Sequence, residues 1–273
     1  ALAHATQQTD LDIGAFFNAE FVIRHGNTLP ERSGVALSFC RRHANGFVQI
    51  DGTYSNLALV ERLTLTATSQ AGGPNGVIYY IVRDFPGYTT PTIALSMANN
   101  VGVCWSGQLV NGVLRVTFWA TARNPFEVYV FDVASRGQRF AINYGLVVKN
   151  KTTGAVVFDS RMKYMRVLGT VSGRSTNGSF PTTDRSYPAL KKIAVIQCVF
   201  WAWSFHEIIP DDPSNPSAIG LITASMITKP SATSVRLQGV NTYNNANRLS
   251  SNPVPNTYCA SYHYIMLDIS DYD

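Results

Sequence analysis

Two adjacent carboxylates, Asp211 and Asp212, are of the residue type that binds calcium. Asn215, three positions further on, adds another oxygen ligand of the kind that this hard cation prefers. A dedicated calcium loop places its oxygen ligands at alternating positions, and the segment Asp-Asp-Pro-Ser-Asn-Pro does not have that spacing. The sequence therefore favours a proline-rich turn here.

The cysteines lack the spacing of a metal site. Neither a CxxC motif nor a Cys/His pattern of the zinc-binding kind accompanies them; they are Cys40, Cys104, Cys198 and Cys259. Apolar and aromatic neighbours predict buried free thiols, although two disulfides are also arithmetically possible. We predict no metal ligand and no cofactor.

Aromatic side chains concentrate in the segment 191–209, the most hydrophobic of the chain. Trp201 and Trp203 are candidates for a platform on which sugar rings stack. The flanking residues are apolar as well, which is typical of core packing, so a buried strand is the first expectation and carbohydrate binding the alternative.

The segment Arg-His-Gly-Asn-Thr at 24–28 resembles the Arg-His-Gly-x-Thr motif of the histidine phosphatases. The resemblance implies a phosphoryl-accepting His25 and a phosphate-holding Arg24. That family also has an α/β fold and a second histidine before a helix, and this sequence predicts neither. The remaining histidines stand in other contexts: His4, His43, His206 and His263. We interpret 24–28 as a strand end with a turn, and His263 as a structural residue.

Other linear signatures of catalysis are missing: the sequence has no phosphate-cradling glycine loop, Gly-x-Ser-x-Gly elbow or His-Glu-x-x-His motif. We predict no catalytic residue and no enzymatic activity. A carboxylate pair formed across strands would leave no linear trace.

Short apolar segments separated by Gly, Asn, Pro and Ser recur along the chain and predict strands. The expected strands include 57–65, 77–82, 92–97, 101–105, 113–119, 127–133, 218–228, 234–240 and 258–269. Helical periodicity is nearly absent, so we predict a mainly β fold, an antiparallel β-sandwich or jelly-roll-like architecture, in one or two β-domains.

Composition suggests the following order of domains. Residues 1–20 form an N-terminal arm and 21–171 a β-sandwich domain. The Ser/Thr/Gly/Pro-rich segment 172–188 is a linker or a long surface loop. Residues 189–273 form a second β region, separate or part of the same domain, with 241–256 as a polar connection.

Residues 141–171 predict a β-meander. Strands at 144–150 and 155–158 flank the loop Lys-Thr-Thr-Gly, whose Gly154 enters left-handed backbone space freely, and a third strand follows. No residue of this stretch has the pattern of a chemical site.

The same hairpin resembles a pattern of small β-domains in tail-tip, baseplate and fibre-associated proteins of tailed bacteriophages. The matching positions are Tyr144, Gly145, Leu146, Val148, Asn150, Gly154, Val157, Phe158, Asp159 and Ser160. The resemblance implies a structural protein of the virion tail, whose partners are other tail proteins and copies of itself. A host-receptor or carbohydrate-binding module of the virion is the alternative.

Charge and hydropathy agree with that class. The chain has 22 Lys and Arg against 17 Asp and Glu, scattered without a basic run, so nucleic acid is not an expected partner. Charged residues make up 14% of the chain, against about 25% in an ordinary soluble domain, which favours a surface that contacts other protein. Without a secretory signal or a membrane-spanning apolar run, we expect assembly into a virion in the bacterial cytoplasm.

Overall fold

The computed structural model describes residues 19–24, 56–71, 78–97, 101–142, 144–150, 153–154, 156–174, 180–199, 202–209, 217–247 and 261–272. Their regular structure is antiparallel β, with one 3₁₀ turn at Ala134–Arg136. The strands in chain order are β1 (Ala19–Arg24), β2 (Leu57–Thr66), β3 (Ser69–Ala71), β4 (Ile78–Phe85), β5 (Thr92–Met97), β6 (Val103–Val110), β7 (Val113–Ala120), β8 (Pro125–Val133), β9 (Gly145–Asn150), β10 (Val156–Asp159), β11 (Arg166–Arg174), β12 (Thr183–Ser186), β13 (Ile193–Gln197), β14 (Ala202–Ile209), β15 (Ser217–Ser231), β16 (Ser234–Asn247) and β17 (Ser261–Asp268). The predicted mainly β, sandwich-like fold is confirmed.

The chain divides into two compact units, each discontinuous in sequence. The smaller unit takes Ala1–Val60 and Asp132–Met165, and the larger unit takes Glu61–Phe131 and Arg166–Asp273. In the smaller unit, β9 lies between β1 and β10 in a three-stranded antiparallel sheet. A small apolar cluster of Ala58, Ala134 and Met162, with Tyr164 packed against it, stabilises the segment that follows β10.

Two larger sheets pack their inner faces into a shared core. The six-stranded sheet has the order β11-β17-β13-β5-β8-β2. The other has the order β12-β16-β15-β6-β7-β4-β3, and β14 also pairs with β15. Leu95 and Val128 of the first sheet and Phe118 and Ile227 of the second are fully buried in one cluster, as expected of face-to-face packing.

Strand β7 shows how the sequence produces this arrangement. Val116, Phe118 and Ala120 are buried in the core, and the residues between them face the other side of the sheet, so the alternation of the sequence sets the two faces. Asn111 and Gly112, both at positive φ (51° and 78°), connect β6 to β7. This is the backbone that a two-residue Asn-Gly hairpin requires.

The central meander was predicted with a third strand that the structure places elsewhere. The β9–β10 hairpin forms with Gly154 at φ 68°, but β11 pairs with β17 in the six-stranded sheet. The segment 172–188 is also not a plain loop, because β11 extends to Arg174 and β12 pairs with β16. Phe180, in the same segment, is buried against Tyr262 and Tyr264, so it contributes to the core.

Two further segments differ from their predictions. The hydrophobic stretch 191–209 forms two strands in different sheets, since β13 pairs with β5 and β17, whereas β14 pairs with β15. The predicted polar connection 241–256 is strand as far as Asn247, because the Asn-rich end of β16 pairs with β15. A backbone ladder does not depend on apolar side chains, so a polar strand end extended by its partner gives little signal in the sequence.

Buried polar side chains join the two large sheets. The amide of Gln197 on β13 donates through Nε2 to the carbonyl of Trp105 on β6 (2.9 Å), and its Oε1 accepts from the Trp105 amide (3.4 Å). The hydroxyl of Tyr264 on β17 donates to Ser225 on β15. Gln197 is 3% exposed, so these hydrogen bonds are buried. Its side-chain amide pairs with the backbone N–H and C=O of Trp105 in the way that a neighbouring strand would, and so satisfies both groups.

Replacing Gln197 with leucine tests this link. Gln197→Leu keeps the side-chain volume but leaves both backbone groups of Trp105 without this partner, so we expect a loss of about 1–3 kcal/mol in the free energy of unfolding. Urea denaturation followed by tryptophan fluorescence measures it. Gln70→Leu, at an exposed position of β3, is the matched control, and an equal effect of both substitutions would contradict the proposed link.

Candidate functional site

The hairpin at 144–160 is held together by hydrogen bonds within itself and to β1. Its first strand, β9, pairs with β1 without a register shift, and with β10 through a shift between Val156 and Phe158. The two ends of the motif meet at Leu146 and Ser160. Ser160 donates its amide to the Leu146 carbonyl (2.8 Å), and its hydroxyl accepts from the Leu146 amide (2.8 Å).

Gly145 is required by the close approach of these two ends. A Cβ at this position would lie 2.7 Å from Cγ of Arg161 and 2.8 Å from the hydroxyl of Ser160, both well inside van der Waals contact. The Gly-Leu start of the motif and its Phe-Asp-Ser finish therefore depend on one another sterically as well as through hydrogen bonds. This dependence gives a physical reason for their occurrence together.

Asp159 is the charged centre of the hairpin. Its side chain is 1% exposed and receives a two-point hydrogen bond from Arg161, from Nε to Oδ1 (2.8 Å) and from Nη2 to Oδ2 (2.7 Å). The Arg161 amide (3.1 Å to Oδ1) and the Arg139 guanidinium (3.2 Å to Oδ2) complete its surroundings. Burial raises the pKa of Asp159, but the Arg161 hydrogen bonds and both arginine charges outweigh it, so its pKa lies below the usual value.

Tyr164 closes the hairpin from its other side. Its hydroxyl accepts a hydrogen bond from the Asp159 amide (2.8 Å), and its ring stacks on Phe158 at a centroid distance of 5.3 Å and an interplanar angle of 11°. Burial raises the pKa of Tyr164. Two arginines hold the Asp159 carboxylate, and Tyr164 holds the backbone of the same residue. Asp159 therefore fixes the course of the chain at the end of β10, and both of its carboxylate oxygens are used as hydrogen-bond acceptors.

A second charged cluster lies in the larger unit around Glu127. Its carboxylate accepts from Lys192 (2.9 Å), forms an ion pair with Arg62 and accepts from the Tyr129 hydroxyl (3.2 Å). Burial raises the pKa of Glu127, yet hydrogen bonds from Lys192 and Arg62 lower it below its usual value. Burial likewise raises the pKa of Tyr129 to about 12, and both cations lie within 6 Å of its ring centre.

Ser96 and Lys229 form the described contact closest to catalytic geometry. The Lys229 ammonium donates to the Ser96 hydroxyl at 3.0 Å and to the Ile193 carbonyl at 3.4 Å, a separation at which a lysine can act as base for a serine nucleophile. Burial, with a smaller effect of Lys192, lowers the pKa of Lys229 to about 8 against the opposing charge of Glu127. Ser96 is 1% exposed and Lys229 5% exposed, so solvent-borne substrate does not reach them.

Most of the site residues predicted from the sequence lie outside the part of the chain that the structure describes. His25, Trp201, Asp211 and Asp212 lie outside the described residues, as do Cys40 and Cys259. Trp203 lies in β14 and His263 in β17, where the His263 carbonyl accepts from the Cys198 amide (2.9 Å). Among the described residues, no three His, Cys, Asp or Glu side chains are grouped to hold a metal ion.

The cysteine prediction is right for Cys104 and wrong for Cys198. Cys104 is a buried free thiol whose pKa burial raises. Cys198 is also free but exposed, and it lies just beyond the end of β13 at Gln197. The apolar neighbours of Cys198 in sequence gave no signal of that strand end.

Neither the burial of Lys229 nor the role of Asp159 was predicted from the sequence. Lys229 follows the apolar residues of β15 and precedes Pro230. This position in the sequence is the one feature that could have indicated a buried side chain. Asp159 belongs to the hairpin at 144–160, but no sequence pattern connects it to Arg139, twenty residues earlier. Both depend on pairings that only the folded chain defines.

Comparison with protein families, with curated proteins and with solved structures gave no significant match for this chain. Within the described residues, no helix is long and apolar enough to cross a membrane.

The pairing of Asp159 predicts acid sensitivity. Its folded-state pKa lies below the unfolded value of about 3.9, so its contribution to stability is complete above that pH and is lost as the pH falls through the folded pKa. Asp159→Asn removes this dependence and leaves the buried arginine fork uncompensated, at a cost on the order of 3 kcal/mol at pH 7. Thermal unfolding between pH 2 and pH 7 measures both effects. The exposed ion-paired Asp184→Asn is the control, and an unchanged pH profile in Asp159→Asn would count against the assignment.

Lys229 predicts a second rise of stability with pH, in the alkaline range. Its folded-state pKa of about 8 lies below the unfolded value of about 10.4, so stability rises as the pH increases from about 8 to about 10. Lys229→Met removes a buried charge, and we expect it to be more stable than the parent chain at pH 7, with the difference shrinking by pH 10. Denaturant titrations at several pH values measure this. Lys191→Met, at an exposed position, controls for loss of surface charge; a Lys229→Met difference that is constant with pH would exclude the buried ammonium as its cause.

Proposed function

We propose that this chain is a structural protein of a tailed-bacteriophage virion, in the tail tip, baseplate or fibre-attachment region, and that it works through protein–protein assembly. The observation that carries the proposal is the hairpin at 144–160, whose sequence resembles tail proteins. Gly145, Asp159 and Ser160 of that motif are engaged in holding the hairpin together. Because these motif residues stabilise the hairpin, they support the proposal of a structural protein.

The hairpin also exposes apolar surface for contact. Tyr144 is 65% exposed at the start of the motif, and Val156 on β10 is 41% exposed. Aromatic side chains of this kind are enriched where proteins bind one another. We assign these two side chains to the contact with another copy of the chain or with another tail protein.

Strand edges of the larger unit supply a second kind of contact. At one end of the six-stranded sheet, β11 pairs only with β17 within the described residues, and its Val167 is 54% exposed. An edge strand offers backbone amides and carbonyls to an added strand. A rigid sandwich with such an edge is suited to assembly.

Catalysis has less support in this proposal. The Ser96–Lys229 contact is buried, and the carboxylate oxygens of Asp159 accept hydrogen bonds from arginine. We therefore propose a protein without enzymatic activity. We further propose that it is assembled in the bacterial cytoplasm, is located in the tail, and has protein rather than nucleic acid as its partner.

Sedimentation velocity over a range of concentrations tests the assembly. We expect the full chain to form an oligomer of defined size, and Tyr144→Ser to raise its dissociation constant about tenfold, since exposed aromatics contribute strongly at interfaces. Leu109→Ser removes an apolar side chain outside the motif that is 76% exposed, somewhat more than Tyr144, and is the matched control. Immunogold electron microscopy of particles from the native host locates the chain. A monomer at every concentration, together with unlabelled tails, would overturn the proposal.

A further inference from the structure

The outer face of strands β4, β7 and β6 carries an ordered set of side chains that the assembly proposal does not use. These strands pair in continuous register, from Tyr79 opposite Ala120 to Phe85 opposite Leu114 on one side of β7, and along the whole of β6 on the other. Since Val116 and Phe118 point into the core, the alternate residues of β7 face outward together with their cross-strand partners. They form three rows, about 7 Å apart along the strands.

The first row is aromatic. Tyr80 and Trp119 are cross-strand partners whose ring centres lie 5.4 Å apart at an interplanar angle of 42°. The Trp119 indole N–H donates to the hydroxyl of Ser106 at 3.4 Å, which restrains the ring. Trp119 packs on one side against the buried cluster of Ile78, Cys104 and Met226, and Cys104 is its partner on β6. Both rings remain partly exposed, so the β4–β7 part of the row presents an aromatic surface that this packing holds in place.

The third row is polar and electrically balanced. Arg115 on β7 forms a two-point hydrogen bond with its cross-strand partner Asp84, from Nε to Oδ1 (2.7 Å) and from its Nη2 nitrogen to Oδ2 (2.9 Å). The two side chains are 44% and 46% exposed, and Gln108 lies opposite Arg115 on β6. This row offers donors and acceptors to a ligand while its charges cancel.

Between these rows lies a row of short side chains. Thr117 is flanked by Val82 on β4 and Ser106 on β6, so the middle of the face is lower than its aromatic and Arg–Asp ends. A ligand over this row would contact aromatic surface at one end and hydrogen-bonding groups at the other. Val82, 47% exposed, adds an apolar contact.

We infer that this face binds an uncharged oligosaccharide. A pyranose ring has apolar C–H faces that pack on aromatic rings and a rim of hydroxyls that both donate and accept, and the three rows provide those contacts in that arrangement. The balanced Arg115–Asp84 pair favours a neutral ligand, because a charged one would have to displace one partner of a two-point ion pair. This binding function is independent of the proposed assembly.

Glycan binding by the full chain tests the inference. An array of uncharged and anionic oligosaccharides identifies ligands, and isothermal titration with the best-bound uncharged oligosaccharide gives its affinity. We expect binding of uncharged glycans, weakened about tenfold or more by Trp119→Ala, which removes the stacking surface. Thr117→Lys fills the middle row from an outward-facing position without altering the core, and we expect the same loss.

Ile142→Ala serves as the control, because it removes an exposed apolar side chain of the other unit that belongs to neither proposed binding surface, and it should leave glycan affinity unchanged. Three outcomes overturn the inference: no uncharged glycan is bound, only anionic glycans are bound, or Thr117→Lys binds as well as the parent chain. A change of oligomeric state in Thr117→Lys without glycan binding would instead assign this face to protein contact. Such a result would leave the hairpin assembly proposal intact.

Discussion

Hydrogen bonds that cross between the two large sheets are the constraint on which the rest of the larger unit depends. Apolar burial holds sheets together but is non-directional, so it tolerates sliding of one sheet over the other. A hydrogen bond does not, because it weakens steeply outside a narrow range of distance and angle. Gln197, Tyr264 and Lys229 each reach from the six-stranded to the facing sheet or back, and together they fix the relative position of the strands. The positions of the residues on the outer faces of the two sheets depend on these interior hydrogen bonds.

Local chemistry made part of this fold predictable. The Asn111-Gly112 turn and the β7 alternation follow from residues adjacent in sequence, because turn type and strand periodicity are short-range properties. Which strands pair is a long-range property: β11 follows the hairpin directly, yet its partner β17 is about a hundred residues away. The site residues follow the same division. Gly145 and Ser160 belong to a linear motif, whereas Arg139 and Lys229 acquire their roles only through the fold.

The hairpin illustrates how residue types associated with chemistry can serve structure alone. Aspartate, serine and arginine near one another suggest a reactive site when read as a composition. In the folded hairpin, Asp159 receives the Arg161 fork and Ser160 receives the Leu146 amide, so both acceptors are used within the motif. A buried carboxylate requires such partners before it can be buried at all. These residues therefore stabilise the fold of the hairpin, and their types alone do not indicate a reaction.

Pairing of charges explains how a chain with a formal net charge of +5 can present locally neutral surface. Arg115 lies directly opposite Asp84, and Arg236 directly opposite Asp184, each in a two-point hydrogen bond across neighbouring strands. Exposed pairs of this kind contribute little to stability, typically about 0–1 kcal/mol. Their larger effect is on recognition. Paired charges exert little long-range attraction, so a partner is selected by shape, aromatic contact and hydrogen bonding. On a surface of this kind, recognition depends on contacts at short range.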